Sequence, residues 1–397
     1  MKKKIPTEEV IEFTDAYDSA QQTELVEEPV QEPVQEFVPE FDTKNIYTKN
    51  IYTKEKLPQI NMRFMNQIET KLIVDSPTIA KDSIQLRYVY FVPSLLCSIQ
   101  FDPSGQTIAF SDGRNLHIIS FDVGDILSSH EIPRAPHKNN PYTRVIKYSK
   151  DGKYIAVTSK VYDISIFSVS KQKFIGTLSS GHCNSISSLL FLNDSKTLLS
   201  GSYDGNLCIW DVTIMGLIRL IKHASANEGK MSLDGAIVSL STDANETFIA
   251  VGFMNGWIGL YDPSFSQPMN KFKAHSEFLL SLKVIPRSGQ IISASQDKTA
   301  KLWRVKGVAA CEKIFVGHND SIVSVAFPTL GKNTDLLLTG SKDEKIMGWS
   351  MKTGERLFTL KAHKNTIFDI SHHPSLNLFA TCSGDGLICV WDYDMSL

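Results

Sequence analysis

Four segments of this chain repeat one pattern: SGSYDGNLCIW at 200–210, SASQDKTAKLW at 293–303, TGSKDEKIMGW at 339–349 and TCSGDGLICVW at 381–391. Each opens on small and hydroxylic residues, turns at an Asp, and ends on a Trp six residues later. Strand, tight turn and alternating apolar strand spell a β-hairpin, and a hairpin repeated at a steady interval cannot bury its apolar faces alone. It must stack on its own copies. Aligning the rest of the chain to the Trp brings out weaker copies at Phe121, Phe167 and Tyr261. Aromatic anchors then fall at 121, 167, 210, 261, 303, 349 and 391, spaced 42 to 51 residues apart. That period is the length of a four-stranded blade, and seven anchors predict an all-β, seven-bladed propeller.

Each strong copy is preceded by Gly181-His182, Ala274-His275, Gly317-His318 or Ala362-His363. These steps join Ser200, Ser293, Thr339 and Thr381 on a strand, Asp204, Asp297, Asp343 and Asp385 in a turn, and Trp210, Trp303, Trp349 and Trp391. The set resembles the WD-repeat family over about residues 84–397. The resemblance implies that His, Ser/Thr, Asp and Trp form a hydrogen-bonded chain inside each blade. A turn carboxylate taken out of water needs donors, and imidazole, hydroxyl and backbone N–H groups supply them. The same residue types could spell a hydrolase triad, but a nucleophile is not needed four times over, and no copy carries a distinguishing neighbour.

No phosphate loop, dinucleotide fingerprint or zinc-protease signature occurs in the sequence. The adjacent His372-His373 is a poor metal pair, because neighbouring residues on a turn rarely reach one ion. The expectation is therefore a non-enzyme without cofactor or metal. Residues 1–42 hold twelve acids and three lysines, so this stretch carries −9 of a chain total of −2 and leaves +7 on residues 43–397. A body that mildly basic, with no Lys/Arg cluster interleaved with aromatics, predicts protein partners rather than direct nucleic-acid binding. The six cysteines form no CxxC pair and read as small core residues in a reducing compartment. The longest apolar run, about residues 88–97, is broken by Pro93, and the N-terminus lacks an apolar leader, so a soluble intracellular protein without a membrane span is expected.

Three regions follow. Residues 1–60, acidic and carrying the direct repeats EPVQEPVQ and KNIYTKNIYTK, are expected to be a disordered tail, and 61–83 a linker able to form a short helix over 62–72. Residues 84–397 form the propeller. The last repeat stops just after Trp391, leaving its blade one strand short, and the strand-like IQLRYVYFV at 84–92 is the right length to complete it. Such closure removes an open sheet edge.

With no catalytic signature, function is expected in surfaces. The residues just before the turn Asp or its equivalent (Tyr203, Met254, Gln296, Lys342, Gly384) and those three past the His (Ser185, Phe278, Ser321, Thr366) are expected to ring the central opening. Tyr203, Met254, Trp257, Phe278, Gln296 and Lys342 are the candidate partner-binding residues, because large apolar groups there would suit a pocket for a peptide or helix. Within the WD-repeat family, runs such as RVIKYSKDGKYIAV at 144–157 and LLLTGSKDEKIMGWSMKTGERLFTLKAHKNTI at 336–367 resemble the propeller of the Tup-type general transcriptional corepressors of fungi, which are Groucho-like in role. That resemblance implies a nuclear adaptor recruited by DNA-bound repressors, with transcription factors or corepressor subunits as partners. It implies no set oligomeric state, since no long helical assembly region precedes the propeller. The competing readings are a scaffold in RNA processing, ribosome assembly or signalling, a ubiquitin-ligase substrate receptor, and a cytoplasmic rather than nuclear site.

Overall fold

The computed structural model describes residues 10–12, 70–76, 83–122, 124–133, 145–158, 162–222, 235–266, 268–329 and 335–394. Apart from Val10–Glu12, the expected acidic tail lies outside them, as do residues 62–69 of the helix expected over 62–72. The described chain forms seven sheets of antiparallel strands running in succession from the centre outward, three of which gain an earlier strand at the outer edge; one of these, Val10–Glu12, lies parallel to Gly216–Lys222. Blade one runs Ile99–Phe101, Thr107–Ser111, Asn115–Ser120, Ile126–Glu131, and blade two begins at Ile146–Tyr148. The inner strands of blades three to seven are Ile186–Phe191, Ile237–Thr242, Leu279–Val284, Ile322–Ala326 and Ile367–His372. Each inner strand touches the next around the ring, and Ile367–His372 touches Ile99–Phe101, so the ring is closed.

Closure uses the strand Ile84–Phe91, which pairs antiparallel with Leu387–Tyr393 as the outer strand of blade seven. Its inward residues Ile84 and Val89 are buried with Phe379, Trp391 and Tyr393, so the sequence that starts the fold also finishes it. The apolar core lies between blades, where one sheet's face meets its neighbour's. Strands buried on both faces need continuous apolar or small residues, and Leu336–Ser341 (LLLTGS), buried at every position, is a case in point.

Two expectations are corrected. Phe121 is not the anchor of blade one: the residue paired like Trp210 is Ile119, opposite Ile108 as Trp210 is opposite Leu198. The turn linking the paired residues Ser111 and Leu116 is one residue shorter than that linking Gly201 and Leu207, which shifts the frame. Phe121 instead sits past the strand, its ring 5.2 Å from that of His373. The second correction concerns the linker. Its described end, Lys71–Val74, is not helix but a fifth strand, antiparallel to Arg356–Lys361 on the outer edge of blade six. Leu72 and Val74 pack on the core there, and the carboxylate of the following Asp75 accepts from Arg356 Nε at 2.8 Å and Nη2 at 2.9 Å. An alternating apolar pattern satisfied by an open edge outweighs the helical spacing of so short a segment.

Candidate functional site

The four strong copies close the same chain of hydrogen bonds. In blade three Trp210 Nε1–H donates to Ser200 Oγ at 2.8 Å, Ser200 Oγ is 2.7 Å from His182 Nε2, and His182 Nδ1 is 3.1 Å from the Asp204 carboxylate. Blade five repeats it through Trp303, Ser293, His275 and Asp297, with every link at 2.8 Å. Blade six does so with Trp349, Thr339, His318 and Asp343 at 2.9, 2.8 and 3.0 Å, and blade seven with Trp391, Thr381, His363 and Asp385 at 3.4, 2.8 and 3.2 Å. A carboxylate only accepts, so each Nδ1 carries its proton toward the Asp.

Hydroxyl, imidazole and carboxylate in line are the parts of a nucleophilic triad, yet Ser200, Ser293, Thr339 and Thr381 are all 0 % exposed. Each hydroxyl is also held by an indole N–H. No substrate carbonyl can reach an oxygen so enclosed, and the arrangement works as an internal strut. Burial pushes these aspartates upward, but the imidazole hydrogen bonds and turn N–H groups more than reverse it. Asp204, Asp343 and Asp385 therefore titrate below the ordinary carboxylate range, and Asp297 falls to about 2. Blade one has a substitute that the repeat frame could not reveal: His117 Nε2 lies 3.1 Å from Asp112 while the ring stacks on Phe110 at 5.0 Å.

The struts place the rim. In each strong blade the N–H just before the turn Asp donates to the carbonyl three residues past the His: Tyr203 to Ser185 at 3.1 Å, Gln296 to Phe278 at 2.9 Å, Lys342 to Ser321 at 2.9 Å and Gly384 to Thr366 at 3.0 Å. Met254 bonds to Ala236 in the same way at 2.7 Å. One ring of paired loops thus brings the two sets of candidates together on one side of the propeller. Within it Gln296 and Lys342 are exposed, while Tyr203, Trp257 and Phe278 are half-buried. Met254 is corrected: at 6 % exposure it is core, enclosed by Tyr203 and Phe278 above the packed faces of blades four and five. Trp257 leans outward from a neighbouring cluster, with Lys271 Nζ 5.8 Å from its ring centre. Val161, where blade two lacks its Asp, lies outside the described residues.

His372 and His373 point apart. His372 bonds its own neighbour's carbonyl and Tyr393 Oη, each at 2.6 Å, whereas His373 Nε2 meets Gly105 O at 3.1 Å. Among the described residues no group of three His, Cys, Asp or Glu could hold a metal. Cys208, Cys382 and Cys389 are buried in the core as expected, but Cys183 and Cys311 are exposed. No described helix is long and apolar enough to cross a membrane.

Ring, struts and turns together define a WD-repeat β-propeller, and comparison with known proteins agrees. The family model "WD domain, G-beta repeat" matches residues 172–211, 266–304, 309–350 and 354–392, the chain's four strong copies. The chain is 35% identical over 89 residues, 21% of its length and 12% of the other's, to the general transcriptional corepressor TUP1 of Saccharomyces cerevisiae. A similar stretch, 35% identical over 88 residues, covers 21% of this chain and 14% of the transcriptional repressor rco-1 of Neurospora crassa. Pre-mRNA-processing factor 17 of S. cerevisiae matches at 27% over 226 residues, 54% of this chain and 47% of that protein. The chain spans less than half the length of each of these relatives.

Proposed function

We propose that this WD-repeat scaffold is a non-enzymatic corepressor adaptor, recruited to DNA-bound repressors through the rim that carries Tyr203, Phe278, Gln296 and Lys342. The observation that carries the reading is the pairing of rim loops over sealed struts: the strut hydroxyls are buried, and the paired loops carry Tyr203, Phe278, Gln296 and Lys342, which are exposed or half-buried. The likeness to a transcriptional corepressor and a transcriptional repressor supports the choice of partner and a nuclear location. Fold alone would not choose a task. Half-buried aromatics beside an amide and an ammonium suit an amphipathic peptide, since rigid apolar area gives affinity and the polar groups set its register.

A second reading, a scaffold in pre-mRNA processing, is favoured by the longer match to Pre-mRNA-processing factor 17. The two separate by co-purification of the full chain from its native cells. Enrichment of DNA-binding regulators and their corepressors is the expected result. Enrichment of spliceosomal or ribosomal subunits without transcription regulators would remove the corepressor reading.

A further inference from the structure

The innermost strands of a propeller have one edge with no strand beside it, and the N–H groups along that edge point at the axis. Here they are capped by side chains of the preceding blade. Gln100 Oε1 accepts from Tyr148 N at 3.0 Å, Ser241 Oγ from Val284 N at 2.9 Å, and Ser371 Oγ from Phe101 N at 3.1 Å. Strand register puts these three at one level of the ring, together with Lys147 in blade two, Leu190 in blade three, Lys283 in blade five and Ala326 in blade six. Lysine has no acceptor and cannot cap. At two positions of this level the capping residue is replaced by a lysine, and the two lysines are close enough to act on one another electrostatically.

The polarity of the whole level follows. Gln100, Ser241 and Ser371 each spend an acceptor on a backbone N–H, so the Gln100 amide N–H and the two serine O–H groups are the donors this level has to offer beside the two lysines. Lys147 and Lys283 are half-buried, and among the described residues neither has a carboxylate within ion-pair distance. The acid near them is Asp369, one level away, and its oxygens already accept from Ser98 Oγ at 3.1 Å, Ile99 N at 3.2 Å and Ile370 N at 2.9 Å. Burial foremost, with Lys147 adding to it against Asp369, lowers Lys283 to about 8. His372, also near Lys283, is held neutral by burial, at about 4. Two ammoniums near one committed carboxylate leave this level with net positive charge beside a ring of donors, a setting that favours an anion.

We propose that the axial channel binds a phosphate group at the level of Gln100, Lys147, Ser241, Lys283 and Ser371. The site is separate from the partner-binding rim and stabilises the ring by bridging blades two and five across the axis. A ligand that binds only the closed ring raises its melting temperature by mass action.

The test uses the full chain and inorganic phosphate. Melting is followed against phosphate concentration, with chloride at matched ionic strength as reference, for the wild type and for Lys147→Met/Lys283→Met. The expected result is a melting temperature that rises with phosphate in the wild type and not in the double variant. Amine acylation read by mass spectrometry gives a second measure on unaltered protein: phosphate is expected to slow labelling of Lys147 and Lys283 several-fold while leaving the exposed Lys352 unchanged. Response to a phosphomonoester or pyrophosphate, but not to inorganic phosphate, would assign the group to a larger ligand held at the same lysines. No protection of Lys147 and Lys283 by any of the three would overturn the proposal, whether or not the double variant folds.

Discussion

Trp349 shows how much of a blade hangs on one side chain. It is 2 % exposed, its N–H holds Thr339 at 2.9 Å, and Phe315 and Met347 share its core. Trp349→Ala removes the indole from a packed interior and leaves the Thr339 hydroxyl without its donor. We expect a loss of about 3–5 kcal/mol in equilibrium denaturation, and a change below about 1 kcal/mol would contradict its placement. The turn aspartates carry a pH signature. Their folded pKa values lie below the unfolded value of about 3.9, so the stability they contribute is complete above that pH and is lost as pH falls toward the folded values. For Asp297 the window runs from about 4 down to about 2. Asp297→Asn cannot ionise, so its stability should decline less steeply across that window than the wild type's. Parallel curves from acid titration of the two proteins would show that the carboxylate is not held as described.

At the scale of elements, legibility in the sequence tracked local pattern. Asp and Trp six apart name a hairpin wherever the turn has the common length, so blades three, five, six and seven were readable along with their struts. Blade one was misframed because its turn is a residue shorter and an aromatic happens to lie two positions past Ile119. Tyr203, Phe278 and Met254 could be placed at the rim by counting. Whether each projects or packs depends on the next blade's surface, which no local pattern encodes, and Met254 packs. The axial lysines were invisible for the same reason: Lys147 and Lys283 lie 136 positions apart and meet only through the closed ring. Two edge strands invite truncation tests. Removing residues 84–91 opens blade seven, and a sharp fall in melting temperature is expected, whereas removing residues 1–60 should change it little. Equal effects would refute closure through Ile84–Phe91. For the strand Lys71–Val74, Arg356→Ala breaks the bidentate bond to Asp75, and faster proteolysis near residue 75 without global unfolding is the expected outcome.

At the scale of the whole molecule, the ring sorts the residues by task. Struts fix the loops from within, edge strands close and brace the sheets, and the paired loops form a rim on one side of the ring. Chemistry-bearing residues are plentiful, but the repeated ones are sealed, which is why reading the chain for catalysis leads to its scaffolding. On the function proposed above, the rim selects transcriptional partners. Proximity labelling in the native cell, with the wild type compared with Tyr203→Ala/Gln296→Arg/Lys342→Glu at equal abundance and equal melting temperature, tests it most directly. The prediction is a set of DNA-binding repressors and corepressor subunits around the wild type that is lost from the rim variant. An unchanged set in the variant, or one without transcription regulators in either, would contradict it.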